Sequence, residues 1–355
     1  MTQPLVVFDF ETSGLDMWSA DFRVVSCAFL IYGPDGDLMH ELFVQGQDEV
    51  KTTLEKILEE SPTFLVYNAS FEWSVCKAAL GLALPLTDTI DVMRLVQLWG
   101  CAHDGRGWGL QAATERILGI KGYKQKYYSW LRENVPESKN KPGAYLSQLP
   151  PELLREYNLA DCYHTKSLYD RISSKFDTQD YDWRPDHSLY RLLVQWVSES
   201  RIQGIAVDRQ VLLDYLPQID AEVAAIDAKF RSAVGKEIEA VRLDLHKKAQ
   251  ARFKKKIVTA IPEFNIQSRA HLEALFCGKL GRRARILTPT GKPSFKSSHL
   301  SQWGEIGSIL EKRGKRLKVK EHVVKLLEAS ESDERWHADI KLCGTISGRL
   351  AGGTS

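Results

Sequence analysis

The stretch LVVFDFETSGLD, residues 5–16, constrains the fold most: an apolar run carries two acids, Asp9 and Glu11, to its end, and a turn follows at once. On a strand, residues two apart face the same side, so the two carboxylates stand together. An isolated pair of this kind also fits a strand that simply ends in solvated acids, so its context decides. The first 90 residues read as strands: RVVSCAFLIY and LMHELFVQG flank the turn GPDGD as a hairpin, and TFLVYNA is a short buried strand. Between them DEVKTTLEKILEE has helical periodicity, with Val50, Leu54, Ile57 and Leu58 on one face. A hairpin sheet followed by crossovers predicts an α/β layer fold.

From about residue 107 to 175 the pattern turns helical, in GWGLQAATERILG and in LPPELLREYNLADCYHTKSLYDRI, which starts after prolines. The intervening KGYKQKYYSWLRENVPESKNKPGAY is polar, aromatic and weakly periodic, and is expected to be a surface excursion. At 355 residues the chain exceeds one ordinary core, and long helical segments from 185 onward predict a second domain. The expected division is 1–184 and 185–355. The six cysteines are scattered without C-x-x-C pairs, which argues against zinc ribbons and a disulfide framework. No apolar run reaches the ~18 residues of a membrane span, and no signal-peptide pattern opens the chain, so a cytoplasmic location, bacterial or in a phage-infected host, is expected.

Charge is unevenly distributed. Residues 1–189 hold 18 Lys and Arg against 27 Asp and Glu, whereas residues 242–325 hold 21 against 6. Sustained basic excess over such a length points to a polyanion, with nucleic acid the natural one.

Two further acids join the first pair. LVYNASFEW puts Asn68, Phe71 and Glu72 just after a strand, and REYNLADC puts Tyr157 and Asp161 four apart on one helix face. Four clustered carboxylates repel and raise one another's pKa unless cations neutralise them, which implies hard divalent metals bound through oxygen. Two such ions serve phosphodiester cleavage, one at the nucleophile and one at the leaving oxygen. With these motifs in this order, residues 1–175 resemble the tyrosine-type, four-acid 3′→5′ proofreading exonuclease domain, on an RNase H-like mixed sheet flanked by helices. The resemblance implies two Mg²⁺ or Mn²⁺ ions, Asp9 bridging both, Glu11 and Asp161 on the nucleophile side, and Glu72 near the leaving group. It also implies that Tyr157 orients the water, that Leu15 wedges against the terminal base, and that Asn68 and Phe71 touch substrate. One departure stands out: the second motif more often carries Asp where this chain has Glu72, a shift of about 1.5 Å in carboxylate position.

The second half resembles the segments that precede the palm in family A DNA polymerases, of the polymerase I and phage replicase type. The carriers are F-N-I-x-S at 264, T-G-K-P-S at 290 and G-T-x-S-G-R-L at 344. This implies a mainly helical thumb holding primer-template DNA through phosphates, with Lys254, Lys255 and Lys256 at its tip and Arg269, Lys292, Thr345 and Arg349 along the DNA. No palm or fingers motif follows, so DNA synthesis by this chain alone is not expected; a second polypeptide carrying palm and fingers, or a truncation, is. Two functions fit: a metal-dependent 3′→5′ exonuclease, or a non-catalytic DNA-binding half that completes a partner polymerase subunit.

Overall fold

The computed structural model describes residues 3–14, 17, 21–100, 107–252, 261, 263–342 and 350–353. They form two compact units, Met1–Ala206 with Arg335–Ser355, and Val207–Glu334. In the first, β1 (Leu5–Thr12), β2 (Val24–Tyr32), β3 (Leu38–Gln45), β4 (Thr63–Val66) and β5 (Thr89–Asp91) make a mixed sheet of order β3-β2-β1-β4-β5. The short turn after Tyr32 forces β2 and β3 antiparallel, β1 pairs antiparallel with β2, and the later strands join the other edge of β1 in parallel.

Helices cover both faces, which is why β1 is apolar almost throughout rather than alternating. On one face α1 (Gln47–Glu59) and α2 (Ala69–Val75) set Val50, Leu54 and Trp73 against Val6, Phe8, Phe10 and Phe29. On the other lie α3 (Val92–Trp99), α4 (Leu110–Ala113, continued by a π turn to Leu118) and, after α5 (Gln125–Asn134), the long α6 (Pro151–Thr178). There Leu95, Val96, Cys162 and Leu168 pack on Leu5, Val7, Ala28 and Leu30. Asp9 and Glu11 continue the odd-numbered row of Leu5 and Val7, so the period of two turns both acids toward the face that α6 covers.

Two expectations need correction. The stretch 121–145 is no surface excursion: it contains α5, whose Tyr127 and Leu131 join Val135, Leu146, Leu154 and Tyr157 in a small core. The four-residue spacing of Tyr127 and Leu131 is a buried helix face that the surrounding Lys, Gln and Arg obscure, and Val135 follows just past its end. The first unit also does not stop at residue 184, because α7 (Arg184–Gln203) buries Tyr190, Val194 and Val197 in its core. The chain returns to it through β6 (Ile205–Ala206) paired with β7 (Arg335–Trp336), then β8 (Asp339–Lys341) paired with β9 (Ala351–Gly353).

The second unit is largely helical, as expected of the second half. α8 (Arg209–Arg252) breaks at Val234 and runs opposite to α10 (Gly304–Ala329), as the ion pairs Arg313–Asp227, Arg316–Glu222 and Lys320–Asp220 show. With α9 (Arg269–Glu273) between them, Phe230, Val241, Leu275 and Phe276 enclose a fully buried Trp303. Gly307 is required there, because a Cβ would lie 2.0 Å from the Leu300 carbonyl oxygen. Among the described residues no helix is long and apolar enough to cross a membrane.

Candidate metal centre

β1 pairs with β4 only as far as Val7 opposite Leu65, so its last residues run on past the end of β4 and open a crevice at the carboxyl edge of the sheet. α2 starts beside this crevice and α6 lies under it. A cleft of about 310 Å³ results, lined by Asp9, Glu11, Asn68, Phe71, Glu72, Tyr157 and Asp161 among others. Oxygen atoms of Asp9, Glu11 and Asp161 lie within 4.8 Å of one another. Glu72 is buried at 2 % exposure, and its Oε2 has no hydrogen-bond partner. The seven expected residues that the structure describes in the first unit thus come together from three motifs about 60 and 90 residues apart.

Local chemistry fixes Asn68, Asp9, Tyr157 and Asp161. Asn68 adopts a left-handed conformation (φ 75°), which Asn tolerates better than most side chains, and this turns the chain sharply into α2. Buried Asp91 holds that turn, accepting from the Asn68 and Ala69 amides at 3.0 and 2.9 Å. On α6, Asn158 donates through Nδ2 to the Asp9 Oδ2 (2.9 Å) and to the Asp9 carbonyl (3.0 Å), while its own Oδ1 accepts from Ser26. Asp161 accepts from Tyr123 at Oδ1 (2.8 Å) and from the Lys124 ammonium at Oδ2 (2.6 Å). That same ammonium donates to the Tyr157 hydroxyl at 2.6 Å.

The electrostatics follow from burial. Desolvation, then Asp161, pushes the Asp9 carboxyl up to about 8, with Lys124 and Asn158 pulling the other way. Burial raises Glu11 well above the carboxylate range, helped by Asp9 and Asp161. Glu72 rises for the same first reason, then from Asp9 and Glu11, with the Phe10 amide opposing. Burial also raises the Tyr157 hydroxyl. For Lys124 burial works against the charge, yet the contact with Asp161 outweighs it and the ammonium is held up. An all-oxygen donor set strained by its own charge, with one orphaned buried oxygen, fits a hard divalent cation.

Lys124, Tyr123 and Asn158 escaped the sequence reading. Asn158 lies three residues before Asp161, on its helix face, and was available as a signal; Lys124 sits just ahead of α5 in the stretch misread as surface. In the second unit Arg269 and Lys292 are exposed, and Arg269 donates to the Pro293 carbonyl beside Lys292. Leu15, Lys254, Lys255, Lys256, Thr345 and Arg349 lie outside the described residues.

Residues 6–173 match a family model described as RNase_H superfamily, in agreement with the mixed sheet and flanking helices. Among solved structures, the chain is similar to the POL domain of Pol1 from M. smegmatis in complex with DNA primer-template and dNTP, at 16 % identity and a TM-score of 0.66. The likeness covers 99 % of this chain and 51 % of that one, so this chain spans about half the length of its neighbour, and at that identity the fold alone is shared. No curated protein sequence matches significantly.

Proposed function

We propose that this chain is a divalent-metal-dependent 3′→5′ DNA exonuclease of the proofreading type, joined to a thumb-like region that holds primer-template DNA as in family A polymerases. The observation that carries this reading is the set of Asp9, Glu11 and Asp161 oxygens within 4.8 Å, with Glu72, whose Oε2 has no partner, lining the same cleft. Asp9, Glu11, Glu72 and Asp161 would hold Mg²⁺ or Mn²⁺, which supplies Lewis-acid stabilisation of the phosphate and an activated water.

The rest falls to the chain's own groups. Asn158 fixes the Asp9 carboxylate by donating to its Oδ2. The Tyr157 hydroxyl, held as an acceptor by Lys124, keeps its own proton to donate, and orients the attacking water with it. Asn68 and Phe71, in the cleft wall, position the terminal nucleotide. The second unit contributes Lys247, Lys248, Arg269, Arg283, Arg285, Lys292 and Lys296, all exposed, for contact with phosphates. The likeness to a polymerase domain that binds primer-template supports DNA as the polymer.

One observation favours the second reading, a DNA-holding chain without hydrolysis that completes a partner: Lys124 already neutralises part of the acid cluster. Degradation of a 5′-labelled single-stranded oligonucleotide with Mg²⁺, with Mn²⁺ and with chelator separates the two. A metal-dependent ladder shrinking from the 3′ end, absent in Asp9→Ala, is the result expected. Salt-sensitive binding with no cleavage in either metal would leave the non-catalytic reading standing.

A further inference from the structure

The buried lysine makes a prediction about how the centre is loaded. The geometry points to Lys124 as a resident cation of the acid cluster, one with which an incoming divalent ion competes for the Asp161 carboxylate. This inference rests on the metal-binding reading of the same acids.

Both oxygens of Asp161 are engaged, Oδ1 by the neutral Tyr123 hydroxyl and Oδ2 by the Lys124 ammonium at 2.6 Å. A carboxylate oxygen bonded to a hydroxyl can still share a lone pair with a metal. One in contact with an ammonium meets a dication only against charge repulsion, which is strong in a site this dry: the Lys124 and Asp161 side chains are 11 % and 6 % accessible. The lysine is also not a loose surface arm that happens to reach in. Its carbonyl accepts from the Tyr128 amide at the start of α5, and the Tyr127 ring packs edge-on to Tyr157 at 5.2 Å, so the backbone that projects Lys124 is part of the small core. The Tyr157 hydroxyl gives the ammonium a second anchor, so leaving Asp161 does not require leaving the cleft.

The arrangement serves a purpose that the four acids create. Without metal or Lys124, the buried Glu11 and Asp161 and the half-buried Asp9 would share the cleft with no such counter-charge, a state strongly unfavourable to folding. Lys124 lets the metal-free chain fold, and the same contact sets a threshold that metal must exceed.

The test is Mn²⁺ binding to the full chain, followed by electron paramagnetic resonance and calorimetry without DNA, for wild type, Lys124→Gln and Lys124→Arg. Lys124→Gln keeps hydrogen-bonding capacity without the charge and is expected to bind Mn²⁺ at least about tenfold more tightly, equivalent to ~1.4 kcal/mol. Lys124→Arg is expected to stay within a few-fold of wild type. Lys124→Gln is also expected to melt earlier in chelator, and to gain more in Tm from Mn²⁺ than wild type gains. Equal or weaker Mn²⁺ affinity in Lys124→Gln overturns the inference while leaving the metal centre intact. No Mn²⁺ binding by any of the three overturns the metal reading together with it. Should Lys124→Gln fold only when Mn²⁺ is present, the inference is supported directly.

Discussion

The two units distribute charge in opposite ways. The first, Met1–Ala206 with Arg335–Ser355, carries 23 Lys and Arg against 29 Asp and Glu, and gathers the acids of its cleft around Lys124. The second, Val207–Glu334, carries 25 against 17, and its acids Asp220, Glu222 and Asp227 are taken up along the α8–α10 contact, leaving cations such as Lys247, Arg283 and Lys292 at the surface. Under the proposed function, the difference follows from what each task would require. Reaction geometry tolerates little displacement, so its groups are few and locked in a dry cleft. Holding a polyanion needs many exposed charges, none individually decisive.

The largest effect that would break this contrast is in the first unit. Asp9→Ala is expected to lower 3′→5′ hydrolysis at least ~10³-fold, about 4 kcal/mol of barrier, while DNA affinity at fixed salt stays within about twofold. Hydrolysis that survives would remove the acid cluster from the mechanism; affinity that collapses with it would mean the two tasks are not separate.

Next in size is a test of where the first unit ends. His187, on α7, is 2 % exposed and accepts the Asp91 amide at Nε2 (2.9 Å). Burial, then Arg191 and Arg94, lowers it to about 4. Because the folded pKa lies below the ordinary 6.5, the unfolded chain takes up the proton first, so stability is full above pH ~6.5 and is lost as pH falls toward 4. The loss is roughly 3 kcal/mol. Urea unfolding of the first transition should therefore show a shallower acid limb in His187→Gln than in wild type. Matching limbs would detach α7 from that core.

In the second unit effects should accumulate gradually. Each phosphate contact removed is expected to reduce the slope of log affinity against log salt by about 0.9 on duplex DNA. Arg269→Ala with Lys292→Ala and Lys296→Ala should weaken primer-template binding about tenfold near 0.1 M salt, with hydrolysis of a saturating short oligonucleotide unchanged. An unaltered slope would place the DNA elsewhere on the chain.

The same contrast explains what could be read in advance. The pairs Asp9–Glu11 and Tyr157–Asp161 were legible because strand and helix periods fix which side chains share a face, whereas Glu72 was joined to them by the order of the motifs and the resemblance they carry. Lys124 was not, because its partners lie 33 and 37 residues away and no local rule distinguishes a lysine that turns inward from its exposed neighbour Lys126. α7 was assigned to the second domain for a related reason: its buried stripe at 190, 194 and 197 shows that the helix packs, but not against which core.

The smallest effect is the most discriminating. Glu72 has a buried oxygen without a partner, and burial, then Asp9 and Glu11, holds its carboxyl well above the usual range. A folded pKa above the unfolded one means that the folded state favours the proton, so stability attributable to this group declines as pH rises past the unfolded value. Glu72→Gln keeps the shape and removes that liability. In chelator at pH 8 it is expected to raise Tm by about 2–4 °C, the yield of ~1 kcal/mol in a domain of this size, and the gain should shrink at pH 5. With Mg²⁺ present the order should reverse, because a divalent ion stabilises the charged carboxylate that Gln lacks. A residue that destabilises the empty fold and stabilises the loaded one is held there for its ligand. If Gln were less stable than Glu in chelator at pH 8, Glu72 would instead be a structural acid, and the longer side chain at this position would mark a cleft that no longer binds metal on that side.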